Sequence, residues 1–203
     1  MCYTTLRLEH RPYDSNPMTV ENPHTVLVGH STLSRELAAR LPDAVIVGRP
    51  QYDLSDQVNC DQLIKDHVMA HTVIYTAAVH SDQIWNSSVV NFVTPMYLSL
   101  RWLEQNPTVH LILISSASAW WPSYPGLSTD RFVYKFSKRC ISEFVQHVNR
   151  CRIDSTDTAV ISVIEPGSFQ SPMSGWQGMS CATVAQQVMH VIQTRAQHVT
   201  LLK

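Results

Sequence analysis

Tyr134 and Lys138 lie four residues apart in the segment RFVYKFSKRCISEF. In a helix this spacing places both side chains on one face, and the apolar stripe of the segment contains neither of them. An ammonium group beside a phenol favours the phenolate, so the pair can supply a tyrosine that exchanges protons near neutral pH. Taken alone the pair is weak evidence, because the same spacing occurs on many solvated helical faces.

Short apolar segments alternate with amphipathic ones from residue 25 onwards, which predicts an α/β fold with a doubly wound, Rossmann-type parallel sheet in three α/β/α layers. We expect one such domain at 24–203, preceded at 1–23 by a polar, proline-containing N-terminal arm. Strands are predicted at 25–29, 44–48, 72–79, 109–116, 159–167 and 198–202, and helices at 33–41, 56–70, 89–106, 131–149 and 181–195.

Composition narrows the class of partner. The formal net charge is -1 and 15% of residues are charged, without a basic cluster, so a nucleic acid is not expected as a partner. No apolar run approaches the length of a membrane span, and the five cysteines are widely spaced, as is usual for reduced thiols. The pair His67 and His71 lacks further ligands nearby, and no metal site is predicted. The sequence thus predicts a cytoplasmic protein with a small-molecule partner and no membrane partner.

Polar and glycine residues follow the predicted strands where each one ends. In a parallel sheet of this kind, ligands bind beyond the carboxyl ends of the strands. The candidate site is therefore built from strand ends, namely Gly29, Arg49, residues 76–78, Ser115 with Ser116, and Pro166 with Gly167.

The order and spacing of these residues resemble the short-chain dehydrogenase/reductase family. The family carries an Asn, Ser, Tyr-x-x-x-Lys tetrad on a Rossmann-type sheet, and the likeness extends from about residue 25 to the end of the chain. The segments that carry it are ISSAS, YKFSK, VVNFVTPMYL, VIYTAAV, DLSD and PGSFQSPM.

The resemblance implies a role for each tetrad residue. Tyr134 would be the acid/base, Lys138 would lower its pKa and hold the nicotinamide ribose, and Ser116 would bind the substrate oxygen. Asn91 would support a proton-relay water. Structural roles remain open for two of them: Ser116 as a strand-end cap, and Asn91 as a partner for the backbone of its kinked helix.

The first loop departs from the family pattern Thr-Gly-x-x-x-Gly-x-Gly. In VGHSTLSR only Gly29 is kept, while Leu33 and Arg35 occupy the later glycine positions, where bulk could displace a dinucleotide. Ser31 and Thr32 can still donate hydroxyls to phosphate. Arg49 follows the second strand, where a guanidinium suits the extra phosphate of NADP, so NADP(H) is favoured over NAD(H).

By resemblance, the remaining cofactor contacts fall on the strand ends and on the loop after the fifth strand. That loop, residues 168–180, is also a candidate lid. Aromatic residues between Ser116 and Tyr134 could form a substrate wall or pack on a neighbouring subunit. The predicted cofactor residues are Gly29, Ser31, Thr32, Leu33, Arg49, Asp53, Leu54, Ala77, Ala78, Tyr134, Lys138, Pro166, Gly167 and Ser171, and the predicted substrate residues are Ser116, Trp120, Trp121 and Met173.

The first hypothesis is an NADP(H)-dependent reductase or dehydrogenase that acts on a carbonyl or alcohol of a small, partly apolar substrate. A second is a non-catalytic member that binds a nucleotide or a protein. A third is a cofactor-retaining epimerase or dehydratase, indicated by the long link between Ser116 and Tyr134. By resemblance, the chain is expected to form a homodimer or homotetramer.

Overall fold

Six parallel strands form one sheet in the order β2-β1-β3-β4-β5-β6. The structure is a computed structural model that describes residues 25–79, 81, 83–120, 128–152 and 157–201, so the predicted arm at 1–23 lies outside the described residues. This topology confirms the doubly wound α/β prediction. The strands are β1 (Thr25–Val28), β2 (Ala44–Val47), β3 (Thr72–Tyr75), β4 (His110–Ile114), β5 (Val160–Pro166) and β6 (His198–Leu201).

Helices cover both faces of the sheet, and a separate apolar core fills each side. One core joins the sheet to α2, α4 and α5, and the other joins it to α1 and α6. None of the helices among the described residues is long and apolar enough to cross a membrane. The helices are α1 (Thr32–Ala38), α2 (Gln57–His67), α3 (Ile84–Ser88), α4 (Thr94–Gln105), α5 (Thr129–Cys151) and α6 (Cys181–Thr194).

The central strands end at the same level. Val28, Tyr75 and Leu113 are partners across β1, β3 and β4, so the residues after them emerge together at one edge of the sheet. The chain leaves β1 for β2 on one side and returns to β3 on the other, which makes this edge the topological switch point. The fold therefore gathers the polar strand ends at the place where ligands bind in such sheets.

Gly29 allows two of these strand ends to touch. Its φ is +113°, and a Cβ atom at this position would lie 2.6 Å from the Cα of Ala77. No L side chain fits that approach, so a glycine is required here by packing between the loops after β1 and β3. The amide groups of Thr76 and Ala77 both donate to the carbonyl of Val28, which ends β3 earlier than the predicted residue 79.

The helix predicted at 89–106 begins earlier and is not broken at Pro95. It runs from α3 through a π-helical turn at Val89–Val93 into α4, where Pro95 lies in the first turn. Proline lacks an amide hydrogen and its ring crowds the preceding turn of a helix, and the wider π turn before Pro95 accommodates the ring. The helix therefore continues through a widened turn that contains Asn91.

Candidate active site

A cleft of about 1220 Å³ lies at the carboxyl ends of the strands. It is bordered by the loops after β1 to β5 and by the first half of α5. Of the predicted site residues, Asn91 and Trp120 do not border it, and Trp121 lies outside the described residues. Those that do border it are Gly29, Ser31, Thr32, Leu33, Arg49, Asp53, Leu54, Ala77, Ala78, Ser116, Tyr134, Lys138, Pro166, Gly167, Ser171 and Met173.

Lys138 is anchored to the end of the sheet. Its side chain is buried, and its Nζ donates to the carbonyl of Ile114 over 2.8 Å. The same Nζ lies 5.7 Å from the centre of the Tyr134 ring. Tyr134, one helical turn earlier, is half-buried and borders the same cleft. The two side chains predicted to act together are therefore neighbours, and the strand end fixes the lysine.

The protonation equilibria of this pair differ from the sequence expectation. Burial lowers the pKa of Lys138 to about 8 and raises the pKa of Tyr134 to about 12. For both groups, the free-energy cost of removing the charged form from water is larger than the attraction between the ammonium and the phenolate. In this structure Tyr134 is thus a protonated phenol at neutral pH, which is the form that donates a proton.

Serine hydroxyls hold the turn of α5 that carries Lys138. Ser115, the residue after β4, donates to the carbonyl of Lys138 over 2.6 Å, and the hydroxyl of Ser142 lies 2.8 Å from that of Ser115. All three residues are buried. Hydrogen bonds between buried groups are stronger than exposed ones, so these contacts set the height of α5 above the strand ends.

Glu165, near the end of β5, is a buried carboxylate with four partners. It accepts hydrogen bonds from Trp120 Nε1 over 2.8 Å and from the hydroxyl of Thr200 over 2.9 Å, and His198 Nε2 lies at 3.1 Å. Burial by itself would raise its pKa, but hydrogen bonds from Ser142, Trp120, His198 and Thr200 together lower it. The group is therefore held as an anion.

This arrangement explains why Trp120 does not border the cleft. Its indole N–H is used on Glu165, and the guanidinium of Arg139 lies 5.2 Å from its ring. Trp120 ends the short 3-10 helix Ala117–Trp120 that follows Ser116. Its contact with Glu165 fixes the chain just beyond the candidate substrate residue.

Ser116 caps a turn and also borders the cleft. Its hydroxyl accepts from the amide of Ser118 over 3.3 Å and lies 2.8 Å from the Ser118 hydroxyl, so it caps the turn after β4. It also borders the cleft, as Ser118 does. A hydroxyl held by a turn at the mouth of the cleft is suited to orient a substrate oxygen.

Asn91 is fully buried and its amide is occupied. The side-chain oxygen accepts from the amide of Val79 over 2.7 Å, and the side-chain nitrogen donates to the Val79 carbonyl over 2.6 Å. The π turn places it under the segment that follows β3. Asn91 therefore supports the backbone of a cleft-lining segment, and its side chain does not face the cleft.

The two bulky residues of the substituted first loop lie in different environments. Leu33 is 2% exposed and packs in the core with Leu27, while Arg35 is exposed and borders the cleft. Ser34 lies between them, and its hydroxyl contacts the Thr76 hydroxyl over 2.6 Å and the carbonyl of Gly29. The leucine thus packs in the core, and the arginine adds a positive charge at the border of the cleft.

Arg49 and Asp53 form an ion pair at the far end of the cleft. Arg49 Nη2 lies 2.9 and 2.8 Å from the two carboxylate oxygens, and the Arg49 side chain is 71% exposed. Hydrogen bonds from Ser55, followed by those from Arg49, lower the pKa of Asp53 to about 2. An anion that binds Arg49 has to share it with this carboxylate or replace it.

Three cations that border the cleft were not predicted as site residues: Arg35, Arg131 and Lys135. Arg35 occupies a glycine position of the family pattern, which indicated a bulky side chain there but not a cation that borders the cleft. Arg131 and Lys135 could have been predicted from their spacing. Arg131 lies three residues before Tyr134 and Lys135 one residue after it, on the same helix.

Lys138 should make stability depend on pH. Its folded pKa of about 8 lies below the ordinary 10.5, so between these values the unfolded chain binds more protons and the free energy of unfolding rises with pH. Lys138→Met should remove this rise, and Lys65→Met, at an exposed lysine of α2, should keep it. Urea midpoints measured between about pH 7.5 and 9.5 would test this, and parallel curves for wild type and Lys138→Met would contradict it.

No protein-family model and no curated protein sequence matches the chain. Solved structures do match it. A short-chain dehydrogenase from Burkholderia cenocepacia in complex with NADP aligns with a TM-score of 0.76 at 11% identity, over 92% of this chain and 90% of that chain. A short-chain dehydrogenase from Sphingobium yanoikuyae in complex with NADPH gives 0.73 at 12% identity, over 88% and 87%. A GDP-L-fucose synthetase from Naegleria fowleri bound to NADP gives 0.70 at 13% identity, over 93% and 75%. The chain therefore has the fold of the short-chain dehydrogenases and reductases.

Proposed function

We propose that the protein is an NADP(H)-dependent oxidoreductase of the short-chain dehydrogenase/reductase type, which interconverts a carbonyl and an alcohol on a small, partly apolar substrate. The observation that carries this proposal is that Ser116, Tyr134 and Lys138 border one cleft at the topological switch point of the sheet. The solved structures with this fold that contain NADP or NADPH support the choice of cofactor. The free cysteines Cys60, Cys140, Cys151 and Cys181 agree with the predicted cytoplasmic location.

The groups that border the cleft fit a dinucleotide phosphate. Arg35 and Arg49 supply positive charge near the loop after β1 and at the end of β2, and the leucine in that loop lies in the core. Leu54, Ala77 and Ala78 offer the small apolar surface on which a planar base packs. Such a cofactor, when bound, supplies the hydride, and the chain supplies binding, orientation and the proton.

The chain's own residues divide the remaining work. The Ser116 hydroxyl holds the substrate oxygen, and the protonated phenol of Tyr134 donates to that oxygen as negative charge develops on it. The Lys138 ammonium lies one turn away and stabilises the phenolate that remains. Asn91 acts indirectly, through the backbone of Val79, as a positioning residue.

A second candidate is a non-catalytic protein that binds a nucleotide or a protein through the same cleft. The observation that favours it is the substituted loop, where Leu33 and Arg35 replace two glycines of the family pattern. A third, a cofactor-retaining epimerase or dehydratase, differs in that NADP(H) would stay bound through purification. Cofactor that stays bound to the purified protein would identify the third candidate, and the titration and turnover measurements below separate the other two.

Tyr134→Phe should abolish carbonyl reduction and leave NADPH affinity within about twofold, because it removes only the proton donor. General acid catalysis contributes about 100-fold or more, so the loss is readily measured. Tyr97→Phe is the matched control, since the Tyr97 hydroxyl binds Asp61 away from the cleft. Measurements are NADPH oxidation and calorimetric titration with NADPH. Unchanged turnover in Tyr134→Phe would remove this residue from the mechanism, and failure to bind NADPH would favour the non-catalytic candidate.

Arg49→Ala should lower the affinity for NADPH by about tenfold and the affinity for NADH by much less, because the variant loses a charge-assisted contact to the extra phosphate. Arg40→Ala is the matched control, as Arg40 pairs with Glu36 on α1 and does not border the cleft. Calorimetric titration with both cofactors gives the selectivity directly. An equal loss of affinity for NADPH and NADH would show that Arg49 does not contact the extra phosphate.

The outer face of the α3, α4 and α5 layer carries exposed apolar side chains. Phe132 and Phe136 of α5 are 53% and 57% exposed, and their rings stack at 6.3 Å. Trp85 of α3 and Leu100 of α4 are exposed on the same layer. Exposed apolar groups on one face are typical of an interaction surface. The proposal includes a homodimer in which a second copy of the chain covers this face, as the family resemblance implies.

Sedimentation velocity should give a dimer for the wild-type chain and a monomer for the double variant Phe132→Asp, Phe136→Asp, because two buried carboxylates oppose association. Val58→Asp is the matched control, at a valine of α2 that is 73% exposed. Far-ultraviolet circular dichroism checks that both variants fold. A wild-type monomer at micromolar concentration would contradict the dimer.

A further inference from the structure

The cleft contains more positive charge than the proposed cofactor explains. Arg35, Arg49, Arg131, Lys135 and Lys138 border it, and among the described residues around it the one carboxylate is Asp53, which is paired with Arg49. Such a cleft concentrates anions. The phosphates of the proposed cofactor account for the charge of Arg35 and Arg49, and Lys138 binds the Ile114 carbonyl beside Tyr134. The proposed cofactor does not account for Arg131 and Lys135 on α5.

Arg131 and Lys135 lie at the reaction end of the cleft. Lys138 is fixed to the end of β4, and Tyr134 lies one turn from it towards the start of α5. Arg131 lies three residues further in the same direction, roughly 4.5 Å along the helix axis. The order from the sheet outwards is therefore Lys138, Tyr134, Arg131, so the arginine lies beyond the proposed proton donor and farther from the strand ends.

The nicotinamide ring and the ribose attached to it bring no negative charge for Arg131 to pair with. Arg131 is exposed, and Asp130 beside it does not border the cleft. The N-terminus of α5 adds a partial positive charge near this point, which Asp130 in the first turn partly offsets. Phe169 and Met173 border the cleft as well and give the pocket an apolar wall.

We propose that the substrate carries an anionic group, a carboxylate or a phosphate, a few bonds from the reacting carbonyl, and that Arg131 binds this group with Lys135 beside it. The inference rests on the proposed oxidoreductase function and narrows its substrate class. A guanidinium forms two parallel hydrogen bonds to either anion, which holds the substrate by one end and places its carbonyl at Tyr134.

The test compares matched anionic and neutral carbonyl compounds: levulinate with methyl levulinate, and hydroxyacetone phosphate with hydroxyacetone. Each is titrated calorimetrically into protein saturated with NADP+, and kcat/KM is measured with NADPH. We expect at least one anionic compound to bind and react about tenfold better than its neutral partner, with the better pair identifying carboxylate or phosphate. Arg131→Ala should abolish that preference because it weakens binding of the anionic compound only. Arg131→Lys should restore part of the preference.

Arg139→Ala is the control on the same helix, because Arg139 pairs with Glu143 and does not border the cleft. It should keep the preference for the anion. If NADPH binds but anionic and neutral compounds bind equally, or neither binds, the inference is overturned while the oxidoreductase proposal stands. A preference that survives in Arg131→Ala overturns the assignment to Arg131. Absence of NADPH binding overturns the proposed function and this inference together.

Discussion

The contact between the Lys138 ammonium and the Ile114 carbonyl governs the geometry of the cleft. It joins α5 to the end of β4 at a buried point, and the hydroxyl of Ser115 fixes the same turn from the backbone side. Burial of an ammonium is unfavourable unless its hydrogens have acceptors, so the helix cannot shift without leaving a charge unsatisfied. Tyr134 and Arg131 take their positions from that contact, because they follow from it at fixed helical intervals.

Polar groups beneath the cleft form hydrogen bonds with other groups of the protein, whereas those at its surface face outwards. Glu165, Asn91 and Ser34 are buried and bind Trp120, the Val79 backbone and Thr76, respectively. Buried polar groups with satisfied partners make a rigid support. The segments that line the cleft thus rest on a layer of buried hydrogen bonds.

The strands, the switch point and the Tyr134 and Lys138 pair could be predicted from the sequence, since they depend on local period and spacing. The partners of buried polar groups could not. Trp120 looked like a pocket residue because its place in the chain is close to Ser116, whereas its indole N–H binds a carboxylate 45 residues away. Leu33 was expected to add bulk beside the cofactor because it replaces a glycine of the family pattern. The pattern does not show where the leucine side chain points, and in the structure the turn of α1 directs it into the core. In both cases a tertiary contact decided where the side chain lies.

Gly29 shows which of the pattern's glycines the fold itself needs. A side chain there would collide with the backbone of Ala77. The later two positions of the pattern accept a leucine and an arginine in this chain, one inside the core and the other on the surface. A glycine at the first position therefore reports how closely two loops approach each other, and it carries no information about whether a nucleotide lies above them.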